Sequence, residues 1–368
     1  MKDLVANHIL ELKPYSPGKP IEEVEREYGI QECVKLASNE NPLGPSPKAL
    51  HAIREALPKL HLYPDGTGFY LRRVLSERLD LDPSTFFFGN GSNEILELLI
   101  RTFLSHPGTN AVSSDCTFVV YRLVMQGMGR DFRAAPMTEN HRYDLSAMLD
   151  LIDSQTRLVF IANPNNPTGT YVTESELTAF CESLDSRFGD DGPIVVLDEA
   201  YKEYVVASDY PDGLRWLKKR RRTIVLRTFS KAYGLAGIRL GYGIADPEIW
   251  DVVNRLRQPF NINNLSLVAA IAAMDDVEHL QKSVTINRKG MDVLTRELTA
   301  RGLGVTPSQT NFLLVNFRRD AAALYPELLK RGVIVRPMGP YGLTQCARVT
   351  IGLPEENQRL LAALDEII

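Results

Sequence analysis

Four points along this 368-residue chain carry side chains fit for covalent and acid–base chemistry. Asp198 closes the apolar run Ile194-Val-Val-Leu197, and Tyr201 follows three residues later. A carboxylate at the end of a buried strand is costly unless a cation or several hydrogen-bond donors meet it. The plainer alternative is a strand-end Asp that ties down a neighbouring loop. Lys231 stands in Arg227-Thr-Phe-Ser-Lys-Ala-Tyr-Gly-Leu-Ala-Gly-Ile-Arg239, just beyond the run Thr223–Leu226. Most lysines are solvated, but one set among Thr228, Ser230 and small residues suits a pocket in which its pKa falls and it acts as a Schiff-base nucleophile. Arg239, eight residues on, offers a fork for a phosphate. Phe86-Phe-Phe-Gly-Asn-Gly-Ser-Asn-Glu94 runs through glycines into a helix, and the free N–H groups of such a start attract anions. As a dinucleotide motif it fails, because Glu94 replaces the third small residue, and Gly241–Asp246 fails similarly. Last, Asn163-Pro-Asn-Asn-Pro-Thr-Gly169 is a rigid turn that aims its Asn side chains.

Each of these groups follows a predicted strand. Apolar runs at 85–88, 157–162, 193–197, 223–226 and 240–245 alternate with helix-period stretches such as 93–104 and 174–184. Strands apolar on both faces and separated by helices predict a mostly parallel sheet covered on both sides, with ligands outside the carboxyl ends of its strands. An Asn, an Asp, a Lys and an anion-binding helix start at four strand ends are together far more specific than any one alone. Beyond about residue 261 the pattern changes. A long helical region (265–302), short strands at 311–316, 333–336 and 347–351, a helix at 321–331 and a closing helix from Pro354 predict a smaller α+β domain. The Pro- and Gly-rich segment 13–47 is too long for an internal loop and reads as an arm over the surface or onto a partner subunit. The expected division is an N-terminal arm joining the small domain (1–45), a large domain (46–262) and a small C-terminal domain (263–368).

Composition excludes several classes. Hydrophobic residues make up 44% and charged residues 24%, with a net charge of −4, so disorder and a global field for nucleic acid or membranes are excluded. Cys33, Cys116, Cys181 and Cys346 form no CxxC pair, which fits a reducing, cytoplasmic setting. The first twenty residues lack the apolar core of a signal peptide, and 265–274 is about the longest apolar stretch, too short for a span. His8, His51, His61, His106, His141 and His279 show no metal-ligand spacing, so no metal is expected. The cationic run Lys218–Arg222 reads as a solvated helix end, so no nucleic-acid partner is expected.

The motifs closely resemble those of the fold-type I pyridoxal-phosphate aminotransferases, and within them the histidinol-phosphate aminotransferase family. The matching segments are PYSPGKP (14–20), KLASNENPLGPSP (35–47), YPDG (63–66), GNGSNE (89–94), NPNNPTGT (163–170), DEAY (198–201), RTFSKAYGLAGIRLGY (227–242), RQPFNIN (257–263) and GVIVRPMGPYGLTQCARVTIG (332–352). NPNNPTG, DEAY and the Ser-Lys…Arg set carry the superfamily, while the first and last segments point to the subfamily. The resemblance implies that Lys231 holds pyridoxal 5'-phosphate covalently and then moves the substrate proton. Asp198 would pair with the pyridinium nitrogen, and Tyr201 and Asn166 would bond the ring's phenolic oxygen. Ser92, Asn93, Thr228, Ser230 and Arg239 would hold the phosphate, and Phe118 would stack on the ring. Tyr63 would reach the phosphate from a neighbouring subunit, which implies a homodimer with shared sites. Arg348 would grip the α-carboxylate of glutamate or 2-oxoglutarate, and Arg336 with Tyr15 the distal phosphate of histidinol phosphate.

The implied reaction is amino transfer from glutamate to imidazole-acetol phosphate in histidine biosynthesis. The alternatives are an aromatic aminotransferase for Phe and Tyr, or a threonine-phosphate decarboxylase; a ligand-sensing regulator that is no enzyme is a more distant one. Two positions depart from the family pattern. Asn93 replaces a usual Asp, with phosphate binding expected to survive. Cys116 replaces a usual Pro, with a looser Phe118 loop expected.

Overall fold

The computed structural model describes residues 1–15 and 17–368. The arm contributes a helix, Ile21–Tyr28, and a two-residue strand, β1 (Val34–Lys35). The large sheet follows: β2 (Phe86–Gly89), β3 (Asn110–Ser114), β4 (Asp131–Ala135), β5 (Thr156–Ala162), β6 (Ile194–Asp198), β7 (Thr223–Thr228) and β8 (Gly241–Ile244). Its order is β2-β8-β7-β6-β5-β3-β4, and β8 alone runs against the others. This is the mostly parallel sheet expected of the α/β fold class. The sequence reading missed β3 and β4, whose Asn110, Ser113, Ser114, Asp131 and Arg133 interrupt any apolar run.

Strand periodicity builds two cores. Leu158, Phe160 and Ala162 face one core with Val196 and Leu226, under the helices Ser92–Phe103, Val119–Gly127 and Pro247–Val253. Val159 and Ile161 face the other with Leu197 and Val225, under Leu145–Leu151 and Glu174–Phe188. Side chains alternate across a strand, so covering both faces requires the continuous apolar runs read from the sequence. Burying each large aliphatic side chain contributes about 1.5–3 kcal/mol.

The smaller sheet is antiparallel, ordered β12-β13-β10-β9, from β9 (Gly304–Val305), β10 (Phe312–Asn316), β12 (Arg336–Met338) and β13 (Leu343–Thr350). The remaining strand, β11 (Val333–Ile334), pairs in parallel with β1, and Leu36 of the arm joins the smaller core beside Val349 and Ile351. The expected helical region divides at Asp276 into Asn264–Asp275 and Val277–Ala300. Helix Asn264–Asp275, placed in the small domain by the sequence division, packs Leu267, Ala270 and Met274 into the large core. Its face of small residues permits close approach to another element, a tertiary preference that periodicity does not report.

Candidate active site

The carboxyl ends of β5, β6 and β7 open into one cavity. The strand register sets Ala162, Asp198 and Leu226 level with one another, so the loops that follow start side by side. Ten of the predicted residues line it: Ser92, Asn93, Phe118, Asn166, Asp198, Tyr201, Thr228, Ser230, Lys231 and Arg239.

Lys231 lies on the turn after β7, and its Nζ donates to the Ser38 carbonyl at 3.3 Å. Burial first, and then the Arg348 and Arg239 guanidinium groups, pull its pKa down to about 7 against Glu40 and Asp198. A lysine so placed is a nucleophile near neutrality. Asp198 is buried, and its Oδ2 accepts from the Tyr121 hydroxyl at 2.9 Å. Burial pushes the carboxyl up to about 6, opposed chiefly by that bond. Oδ1 is also buried yet has no hydrogen-bond partner among the described residues. An orphaned carboxylate oxygen is expensive, and a ring N–H from a bound group would satisfy it.

The far wall is built for an anion. The helix Ser92–Phe103 begins after Gly91 with no side-chain cap, leaving its first N–H groups open. Arg239 reaches this corner from a left-handed backbone at φ 57°, strain of the kind found at ligand clamps. Gly91 has φ 75°, and a Cβ there would come within 2.5 Å of Arg239 Nη2 and push the guanidinium out of this corner. The Thr228 hydroxyl accepts from Ser230 N at 3.1 Å, and Arg239 Nη1 donates to Ser230 Oγ at 3.3 Å. Glu94, the misfit of the dinucleotide pattern, accepts from Asn90 N at 2.6 Å and Asn261 Nδ2 at 2.8 Å. It closes the glycine loop on itself.

Arg348 is buried beside the cavity. Its Nη1 donates to Asn166 Oδ1 at 2.6 Å and its Nη2 to the Ala37 carbonyl at 2.7 Å, while Nε has no partner among the described residues. Because the Asn166 oxygen is engaged, its amide N–H groups are the ones left for a ligand. Arg336 is the direct cross-strand partner of Arg348 in the β12–β13 ladder, and its guanidinium lies 5.3 Å from the Tyr15 ring centre. Like charges directly opposite on a sheet are unfavourable, so this pairing marks a wall suited to anions.

Tyr15, Arg336, Arg348 and Tyr63 do not line the cavity, and Arg348 reaches its wall only through Asn166. Tyr63 is 82% exposed and stacks on Phe260, with ring centres 4.7 Å apart. The Phe118 loop is tied to Asn165 on both sides of Cys116's peptide. The buried Cys116 carbonyl accepts from Asn165 Nδ2 at 2.9 Å, and Thr117 Oγ1 donates to Asn165 Oδ1 at 2.9 Å.

Sequence reasoning missed Tyr121 and Asn39 as site residues. Tyr121 follows Phe118 at a helical spacing of three, which puts the two on one side, and their rings meet edge to face at 5.7 Å. Asn39 donates to the Tyr201 hydroxyl at 2.8 Å, and no local signal in its segment announces that.

A buried lysine lowered to about 7, a buried carboxylate oxygen lacking a donor among the described residues and an anion-binding corner fit pyridoxal phosphate. The family model for class I and II aminotransferases matches residues 31–364. The chain is 50% identical over 362 residues to histidinol-phosphate aminotransferase 2 of Pseudomonas fluorescens, across 98% of this chain and 96% of that one. The chain belongs to the histidinol-phosphate aminotransferase family, within the class I and II aminotransferases. A second relative in that family, the histidinol-phosphate aminotransferase of an Anaeromyxobacter species, is 49% identical over 366 residues, covering 99% of both chains. Among solved structures of the family, histidinol-phosphate aminotransferase from Sinorhizobium meliloti in complex with pyridoxal-5'-phosphate superposes with a TM-score of 0.88 at 29% identity. That match covers 99% of this chain and 97% of the other.

Proposed function

We propose that this chain is a pyridoxal-phosphate-dependent histidinol-phosphate aminotransferase of histidine biosynthesis, moving the amino group of glutamate to imidazole-acetol phosphate. The observation that carries the substrate assignment is likeness from end to end, at about half identity, to relatives bearing that name. The cationic wall of Arg348 and Arg336 supports it, because one partner of the reaction ends in a phosphate and the other in carboxylates.

Bound pyridoxal phosphate supplies the electron sink that takes up the pair left when the substrate's Cα proton departs. Lys231 binds the cofactor covalently and afterwards takes and returns that proton at its Nζ. Asp198 Oδ1 accepts the ring N–H, and Tyr121 holds the other oxygen so that the carboxylate keeps its aim. The Asn166 amide and the Tyr201 hydroxyl donate to the phenolic oxygen. Ser92, Asn93, Thr228, Ser230 and Arg239 hold the phosphate, and Phe118 covers the ring. Arg348 grips the α-carboxylate, while Arg336 and Tyr15 take the distal group.

We further propose a homodimer. Leu60, Leu62, Tyr63, Phe69, Tyr70 and Phe260 expose large apolar side chains, with Tyr63 on Phe260 and Phe69 on Tyr70, and a partner subunit would cover them. On this reading Tyr63 reaches the partner's phosphate. The arm (1–45) works with the small domain and the large domain holds the cofactor, with helix Asn264–Asp275 on the large side. The four free, buried cysteines support a cytoplasmic setting, and no helix among the described residues is long and apolar enough to cross a membrane.

The test is a half-reaction on the cofactor-loaded protein without keto acid. L-histidinol phosphate and L-phenylalanine are added separately while the visible cofactor band is followed. Conversion at a much lower concentration of histidinol phosphate is expected. The reverse order would make the chain an aromatic aminotransferase, and carbon dioxide release from phosphothreonine would make it a decarboxylase.

A further inference from the structure

Three buried side chains on separate parts of the chain form a directional line that ends at the cavity. Asn39 belongs to the arm, Thr350 to β13 and Tyr201 to the loop after β6, and all three are buried. Asn39 sits in the left-handed region at φ 54°, where its N–H donates to Thr350 Oγ1 at 3.0 Å and its carbonyl accepts from Asn311 Nδ2 at 3.0 Å. The backbone is therefore pinned from both sides.

A threonine hydroxyl has one proton. Thr350 accepts the Asn39 N–H and directs its own proton at Asn39 Oδ1, 3.3 Å away. The amide oxygen of Asn39 thus faces Thr350, and its Nδ2 faces the Tyr201 oxygen at 2.8 Å. An amide nitrogen only donates. The Tyr201 oxygen is the acceptor in this bond, so its own proton must leave in another direction. The direction left open is the cavity that Tyr201 lines.

We infer that Asn39, oriented by Thr350, is a positioning residue that compels Tyr201 to act as a hydrogen-bond donor toward the cofactor, an inference that rests on the reading of Tyr201 against the phenolic oxygen. The Thr350–Asn39 bonds fix the polarity of the Tyr201 bond, and without them the hydroxyl is free to donate backwards. Thr350 lies two residues beyond Arg348 on β13, so one strand carries both the carboxylate clamp and the start of this relay. Arg348 also directs Asn166 by engaging its oxygen. Both donors to the phenolic oxygen are therefore aimed from the small sheet.

The test follows the visible band of the cofactor-loaded enzyme as a function of pH. A donor at the phenolic oxygen favours the deprotonated form of the Lys231-linked chromophore, so Tyr201→Phe should raise the midpoint. Asn39→Asp replaces a donor by an acceptor of the same shape and turns the Tyr201 proton away. It should raise the midpoint by about one pH unit, tenfold in the proton equilibrium. In a Tyr201→Phe background Asn39→Asp should add nothing. A shift that persists there is a plain charge effect and overturns the relay, as does an unmoved midpoint for Asn39→Asp alone. A Tyr201→Phe variant with the parent midpoint would overturn the cofactor placement and the relay together. A second pair reads the same relay without touching Asn39. Thr350→Ser should keep the parent midpoint and Thr350→Val should raise it, and equal midpoints for the two overturn the proposal.

Discussion

Residues 198 and 199, adjacent in the chain, stand in two different kinds of buried charge cluster. Both carboxylate oxygens of Glu199 find donors. Its Oε2 accepts from Arg227 Nε at 2.9 Å, and its Oε1 accepts from the N–H of Gly213, where the next helix begins. Both members of the pair are nearly fully buried, and each answers the other's charge. Asp198 is left unfinished: among the described residues one oxygen accepts from Tyr121, the other lacks a well-formed hydrogen bond, and Lys231 nearby donates to the Ser38 carbonyl. Strand alternation explains the division, since Arg227 and Thr228 must point to opposite sides of β7 and only Thr228 lines the cavity. One cluster holds the strands together, and the other keeps charged groups shifted and unsatisfied until a ligand arrives.

The contrast can be broken most severely at Lys231. Lys231→Ala should lose turnover by at least about 10²–10⁴-fold from proton transfer alone, with loss of the covalent cofactor band, in a single-turnover assay. Transamination at the parental rate would remove the central assignment. Arg227→Met tests the other cluster. It strands Glu199 as an unpaired buried charge, and urea unfolding should show a loss of about 3–5 kcal/mol. A stability unchanged by that variant would show the pair to be dispensable.

Asp198→Asn separates the two clusters by sign. The native carboxyl is raised to about 6, so in the cofactor-free chain its penalty is present above that pH and is relieved as the pH falls toward its unfolded value near 3.8. The variant should stabilise the cofactor-free chain at neutral pH by up to about 3 kcal/mol while impairing turnover. Destabilisation instead would mean that Asp198 is already satisfied, as Glu199 is.

The smallest effect is the pH dependence of cofactor capture. Lys231, lowered to about 7, is protonated and inert below that value and neutral above it. The rate at which the cofactor-free chain takes up pyridoxal phosphate should rise as pH increases through about 7 and then level off. A rise displaced to the ordinary lysine range near 10.5 would mean that burial does not act on Lys231 as described.

Much of the fold was legible because a strand buried on both faces must be apolar throughout. β5, β6 and β7 announced themselves in that way, and their carboxyl ends named Asn166, Asp198 and Lys231. The polar strands β3 and β4, at one side of the sheet, gave no such signal. Nor did helix Asn264–Asp275, whose small residues say that something packs closely but not what.

What the sequence determined by itself was local: which segments are strands, which residues end them, and which residue types stand where chemistry is possible. These follow from periodicity, propensity and the distance between neighbours along the chain. Only the tertiary structure decided that Tyr121 supports Asp198, that Asn39 of the arm and Thr350 of the small sheet set the direction of the Tyr201 bond, and that Arg336 lies opposite Arg348. The hydrogen bonds among these join residues 77 to 311 positions apart. A hydrogen bond's polarity depends on every group that shares its atoms, so it exists only once the separate segments have been folded against one another.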